Sequence, residues 1–272
     1  MLNKTIKHQK IRKKTLLAFN IQELSQLNAL ASCCKKLKKK SICQFSKNYF
    51  LYFEKFYNLS EIIRHYKKKN LFFFLDHCTD FKIIKKCLKY DFDGIMYDGS
   101  NLSLKKNIIN TNKVYNLIKN KKKKVMLEAE IGPVLGIEDD HVSKSKNKIS
   151  KSALSKFIKT ANFDLLAIGA GNAHGLNKNV SIEFDLLKYA IDQKKDINLV
   201  FHGGSGVSKS ILDKSIRHNT VKINFSSSLK LEMAKLNLVF SKKNKIFDKL
   251  KYNDFIKKKL FNFFCNKLEK FS

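Results

Sequence analysis

LVFHGGSG (199–206) sets a short apolar run against a histidine and then a glycine-rich turn. The run 199–201 has strand character, His202 ends it, and Gly203, Gly204 and Gly206 let the backbone turn sharply or come close to a ligand. Two further stretches share the form: LFFFLDH (71–77) ends in His77, and LLAIGAGNAH (165–174) reaches His174 through its own glycines. All ten glycines of this 272-residue chain fall between 94 and 206, and there is one proline. Histidines delivered by strand ends among such glycines predict a metal site with anion-binding loops around it.

Outward from these three, similar runs recur roughly every 25 to 35 residues, the repeat of a strand plus a crossover helix. In order they are TLLAF (15–19), SICQF (41–45), LFFFL (71–75), FDGIMY (92–97), KVMLEAE (124–130), DLLAIGA (164–170), INLVF (197–201) and TVKINF (220–225). Helical character fills 21–38, 53–68, 80–90, 103–119, 150–160, 183–194 and 208–217, and a long helical region begins at 228. The pattern predicts an α/β fold, a single (β/α)8 TIM barrel with additional C-terminal helices. No linker composition interrupts it, so residues 1–272 are expected to form one domain. DDHVSKSKNKISKS (139–152) is the most polar and least periodic stretch and is read as a mobile loop over the site.

Barrels of this kind place their sites at the C-terminal ends of the strands. Asp76 and His77 follow the third run, Asp98 and Ser100 the fourth, Glu130 ends the fifth, His174 follows the sixth, His202 the seventh, and Asn224 lies at the end of the eighth. His77, His174 and His202 on one rim match a catalytic zinc with an open position. His8, His65, His141 and His218 lack that placement and are read as surface residues. HGGSG (202–206) offers backbone N–H groups and the Ser205 hydroxyl to an anion, beside KINFSSS (222–228), and Lys178 could add a point charge. In an extended segment the side chains of Asp76 and His77 diverge, leaving Asp76 free for acid/base work, and Glu138 in GIEDD (136–140) is a second candidate acid/base.

The formal net charge is +32, yet only three of the 55 basic residues are arginine (Arg12, Arg64, Arg217). A surface built to grip nucleic acid usually uses arginine's planar fork, so the lysine excess is read as coding bias and solvated faces. No dedicated nucleic-acid or membrane partner is expected, although a degenerate barrel that binds polyanions stays open as an alternative. The six cysteines contain no C-x-x-C and read as reduced thiols of a cytoplasmic protein. No apolar run approaches the roughly 18 residues of a membrane span, and the basic start is interrupted too soon for a cleaved signal.

AFNI (18–21), LDHCTDF (75–81), GIMYDGSNL (94–102), EAEIG (128–132), GIEDD (136–140), GNAHG (171–175), FHGGSGV (201–207) and KIN (222–224) together resemble the class II, zinc-dependent fructose-bisphosphate aldolases. The resemblance implies reversible cleavage of fructose 1,6-bisphosphate to dihydroxyacetone phosphate and glyceraldehyde 3-phosphate, a step of glycolysis and gluconeogenesis. Tagatose bisphosphate is the alternative substrate. It implies zinc on His77, His174 and His202, with Glu130 as an alternate or second-site ligand. Asp98 is a possible ligand of a second divalent or a monovalent cation. Asp76 then resembles the acid/base at the C4 oxygen and Glu138 the base beside the ketone. Asn20, Ser46, Gly175, Lys178, Gly203, Ser205, Asn224, Ser226 and Ser227 would line the pocket for substrate and phosphate. Family members form dimers or tetramers. The chain departs from the family pattern at Cys78, commonly glycine, at Ser226, and at Leu250, which stands where some members carry an arginine for the far phosphate.

Overall fold

The computed structural model describes residues 2–120, 124–134, 136–138, 141–143, 149–176, 180–244 and 246–271. Helix α1 (Leu2–Ile11) precedes strand β1 (Leu16–Asn20), α2 (Leu24–Leu37), β2 (Ser41–Ser46), α3 (Lys47–Phe56), α4 (Leu59–Lys67), β3 (Leu71–Cys78) and α5 (Phe81–Cys87). There follow β4 (Gly94–Tyr97), α6 (Leu104–Asn120), β5 (Met126–Ile131), the short strands β6 (Gly136–Glu138) and β7 (His141–Ser143), and α7 (Lys151–Thr160). The remainder is β8 (Leu165–Ile168), α8 (Phe184–Gln193), β9 (Leu199–Phe201), α9 (Lys209–Arg217), β10 (Thr220–Phe225), α10 (Ser227–Lys243) and α11 (Lys249–Phe271). Eight strands close into a barrel in the order β1-β10-β9-β8-β5-β4-β3-β2, every neighbouring pair parallel.

Closure follows from alternation along the strands. Leu17, Phe19, Phe45, Phe73, Ile95, Leu127 and Ile223 face outward into the layer of surrounding helices. The alternate positions fill the barrel, where Leu16, Ala18, Ile42, Phe72, Phe74, Met126, Leu165, Ala167 and Val200 form a separate apolar cluster. A Cβ on Gly94 would come within 2.0 Å of the Phe74 ring, so the glycine makes room for that aromatic at the barrel centre. Further along the same inward rows the residues turn polar: Asn20, Ser46, Asp76, Asp98, Glu130, His202 and Asn224 are all buried. One pole of the barrel interior is therefore oil and the other a polar pocket.

Three stretches depart from the sequence expectation. α1 was not foreseen, because its lysines hide the i, i+4 pair Leu2 and Ile6, which are buried in the apolar barrel cluster and plug that pole. The single helix expected over 53–68 is two, α3 and α4, divided where Asn58 caps α4 by accepting from the Glu61 N–H at 3.2 Å. The stretch read as a loop over 139–152 contains β7, which pairs antiparallel with β6 just before it; residues 139–140 and 144–148 lie outside the described residues. At the C-terminus α11 packs along α2, with Phe264 edge-on to Phe19 at 4.9 Å and the Lys39 Nζ donating to the Leu268 carbonyl. Among the described residues no helix is long and apolar enough to cross a membrane.

Candidate active site and metal centre

His77, one residue past the inward row Phe72, Phe74 and Asp76 of β3, sits in the left-handed region at φ +43°, where a register shift separates Leu75 from Cys78. The expected extended segment is thus broken at the histidine itself. A non-glycine residue held there costs of order 1 kcal/mol or more, and such strain collects at functional sites. The turn aims the His77 Nδ1 at the Asp98 carboxylate, 2.8 Å away, and the Nε2 at His202 Nδ1, 3.0 Å away. His202, fully buried, places its own Nε2 2.9 Å from Glu128 Oε1.

Each ring therefore gives its outer nitrogen to a carboxylate, and the two inner nitrogens meet. Two lone pairs at 3.0 Å repel unless a cation or a proton lies with them. The His174 ring stands 5.2 Å from that of His77 and 5.9 Å from that of His202, centre to centre. Donor atoms of His77, His174 and His202 lie within 4.8 Å of one another, as do those of His77, Asp98 and Glu130. The Glu130 Oε2, fully buried, finds no hydrogen-bond partner among the described residues and lies 3.8 Å from His202 Nδ1 and 4.0 Å from His77 Nδ1. Three imidazoles, those of His77 and His202 oriented by outer carboxylates, with a buried acceptor oxygen beside them, fit a divalent zinc.

The electrostatics agree. Burial lowers the basicity of His77, but the carboxylates of Asp76, Asp98 and Glu130 outweigh it and hold the imidazole well above its ordinary value. Burial and the neighbouring Asp98 charge push the Glu130 carboxyl well above the usual range, against the pull of His77. The cluster gathers carboxylates around the imidazoles, so that protons, or a bound cation in their place, balance the charge.

Asp76, buried beside this cluster, accepts from Asn20 Nδ2 at 3.0 Å, and Gln44 Nε2 in turn donates to Asn20 Oδ1 at 2.9 Å. That relay crosses from β2 through β1 to β3 and fixes the carboxylate's orientation. Ser100 closes the other flank, donating its N–H and hydroxyl to Asp98 Oδ1 at 3.0 and 2.6 Å.

The glycine loops serve packing as well as anion contact. Gly203 has φ +75°, and a Cβ there would sit 2.1 Å from the Ala173 carbonyl oxygen, so the loop bearing His202 presses on the loop bearing His174. Asn172 ties them further by donating to the His202 carbonyl at 3.0 Å. Gly175, at φ +95°, faces open space. The Ser205 hydroxyl pairs with Ser228 Oγ and receives the Ser228 N–H, both at 3.1 Å, which joins the loop after β9 to the start of α10. Ser46 Oγ, Ser226 Oγ and Asn224 Oδ1 are buried without a hydrogen-bond partner among the described residues. Ser227 opens α10 next to them.

Of the residues singled out by sequence, Asn20, Ser46, Asp76, His77, Asp98, Glu130, His174, His202, Gly203, Asn224 and Ser226 thus converge at one barrel mouth. Glu138 ends β6, its side chain outside what is described, and Lys178 lies outside the described residues. Sequence reading passed over Glu128, Lys222, Gln44 and Asn172. Glu128 stands two before Glu130, Lys222 two before Asn224 and Gln44 two before Ser46, so the period of a strand could have placed all three on the inward face.

The chain matches the family model described as fructose-bisphosphate aldolase class-II over residues 1–272. It is 35% identical over 159 residues to a fructose-bisphosphate aldolase of Ureaplasma parvum, covering 58% of this chain and 53% of that protein. A sulfofructosephosphate aldolase of Alkalicoccus urumqiensis is 32% identical over 160 residues, covering 58% of this chain and 55% of that protein. The matched region therefore spans about half the length of these relatives. The fold is shared with a putative fructose-1,6-bisphosphate aldolase of Coccidioides immitis, at TM-score 0.85 and 18% identity, over 98% of this chain and 94% of that one. Motifs, barrel and whole-length match agree, and the chain belongs to the class II fructose-bisphosphate aldolase family.

Proposed function

We propose that the protein is a zinc-dependent aldolase that reversibly cleaves fructose 1,6-bisphosphate to dihydroxyacetone phosphate and glyceraldehyde 3-phosphate, with residues 1–272 acting as one catalytic domain. The observation that carries this reading is the approach of His77 Nε2 to His202 Nδ1 at 3.0 Å beside the Asn20-held carboxylate of Asp76. Zinc would be held by His77, His174 and His202, with Glu130 as an alternate ligand, and when bound it supplies a Lewis acid for the ketone end of the sugar.

The chain's own groups do the rest. Asp76 takes the proton of the C4 hydroxyl as C3–C4 breaks and returns it in condensation, and Asn20 keeps the carboxylate oriented for both. Ser46, Asn224 and Ser226 offer buried polar atoms to the substrate's hydroxyl and phosphate oxygens. Glu138 is the base at the carbon beside the ketone, and Lys178, Gly175, Gly203, Ser205 and Ser227 serve the phosphate. Anchoring the phosphate lets binding energy far from the reacting bond orient that bond.

The test is a cleavage assay with fructose, tagatose and sulfofructose phosphates as competing substrates, since a sulfofructosephosphate aldolase stands among the relatives. Activity on fructose 1,6-bisphosphate that chelation abolishes, zinc restores and borohydride leaves intact supports the reading. Irreversible inactivation by borohydride with substrate would instead reveal a Schiff-base lysine, and salt-sensitive RNA binding without cleavage would leave a polyanion-binding barrel.

A further inference from the structure

Lys222 on β10 has no exposed surface, a costly place for an ammonium group. Its Nζ lies 2.6 Å from Glu128 Oε2 and 4.7 Å from the centroid of the Phe74 ring, inside the barrel below the metal centre. Replacing a buried pair of this kind with apolar residues of like volume is often neutral or stabilising, so its presence calls for a reason other than stability. The other oxygen of the same carboxylate supplies one, since Glu128 Oε1 sits 2.9 Å from His202 Nε2. Asn224 Nδ2 approaches the same ring nitrogen at 3.3 Å, but the carboxylate is closer, and a charge-assisted bond is roughly twice as strong as a neutral one. The ring proton therefore belongs on Nε2.

We propose that Glu128, anchored by Lys222, is a positioning residue that fixes His202 as the Nε2–H tautomer and thereby selects Nδ1 as its metal-binding atom. Lys222 holds one carboxylate oxygen and the Phe74 face limits the lysine's other orientations, so the second oxygen has one place to go. Without this anchor the buried ring could turn over and present the wrong nitrogen to His77. Partners of this kind set ligand orientation and typically change metal affinity by about 10- to 100-fold. The proposal rests on the zinc reading above, but neither of its tests measures aldol cleavage.

The first test is nitrogen-15 NMR of histidine-labelled, metal-free protein. The expected result is a His202 signal with Nε2 protonated and Nδ1 bare; a protonated Nδ1 with a bare Nε2 overturns the proposal. The second uses the double variant Glu128→Leu with Lys222→Met, which removes both charges at similar volume. Zinc affinity, read by competition with a chromophoric chelator, should fall by about 10- to 100-fold while the melting temperature of the metal-free protein stays within a few degrees. A folded double variant that binds zinc as tightly as the parent overturns the proposal, and if the variant does not fold, the tautomer measurement on the parent protein decides.

Discussion

Asp76 and His77 are chain neighbours whose side chains serve two different hydrogen-bond systems within one pocket. Asp76 Oδ2 accepts from Asn20 of β1, while His77 turns through φ +43° to reach Asp98 with one ring nitrogen and His202 with the other. A regular strand would send the two side chains to opposite faces, one into the barrel and one into the helices. The left-handed residue and the shifted register bring both to the barrel mouth, an acid/base group and a candidate ligand side by side.

Asp76→Asn should remove proton transfer and leave the metal in place. Because Asn20 can still donate to the substituted side chain's oxygen, the fold of the relay survives. The expected outcome is a fall in kcat of about 10²- to 10⁴-fold, with zinc content unchanged by elemental analysis. Loss of zinc in the folded variant would place Asp76 among the ligands instead.

Chelation should destabilise the protein, since the convergent His77 and His202 nitrogens then lack their cation. At free zinc about 1,000 times its dissociation constant, the expected stabilisation is about 4 kcal/mol. Thermal melts of chelated, zinc-restored and His77→Ala protein check it. The variant should melt at the same temperature with and without zinc.

Gly203→Ala should be far more damaging than Gly175→Ala, although both glycines have positive φ. The first would push a methyl to 2.1 Å from the Ala173 carbonyl oxygen, whereas the second meets nothing within 4 Å. Backbone strain alone costs about 1–3 kcal/mol at either position. Gly203→Ala should in addition part the loops of His174 and His202 and weaken zinc binding, and equal zinc affinity in the two variants would refute this.

Asp93 gives a pH-dependent outcome away from the pocket. Burial raises its carboxyl above the ordinary value of 3.8 despite Lys67 and the Phe73 N–H, so the folded chain holds the proton more tightly than the unfolded one. Stability from this group is therefore lost as pH rises from the unfolded value through the folded one. Asp93→Asn is free of that loss, and Lys67 keeps Asp91 at 2.9 Å. Denaturant melts should show the stability difference, variant minus parent, increasing from pH 3 to pH 7; a decrease would contradict the direction.

The thiols should be inert in the folded protein. All six cysteines are buried, and burial, with the neighbouring Cys265, pushes the Cys34 thiol up to about 12. At pH 8 its thiolate fraction is then about one part in 10⁴. Iodoacetamide followed by mass spectrometry should label Cys34 only after unfolding.

Much of this pocket can be seen in the linear order of residues. Runs such as LFFFL and LVF alternate between helix-facing and barrel-facing positions, and the histidines close those runs where barrel strands open onto the site. Other parts leave weak local traces. Leu2 and Ile6 are the only buried residues among the lysines of α1, too few to announce a helix that plugs a barrel. The break at Asn58 is a capping choice made against a helical pattern that continues on both sides.

The chain's own periodicity, glycine placement and histidine positions specify a barrel and the rim that carries its chemistry, because strand alternation and turn geometry are local properties. Which carboxylate orients which imidazole was settled only by barrel closure. Glu128 and His202 are 74 positions apart, and His77 and His202 are 125 apart. A histidine's tautomer depends on the partner at its outer nitrogen, and no local pattern names a partner that arrives from the far side of a closed sheet.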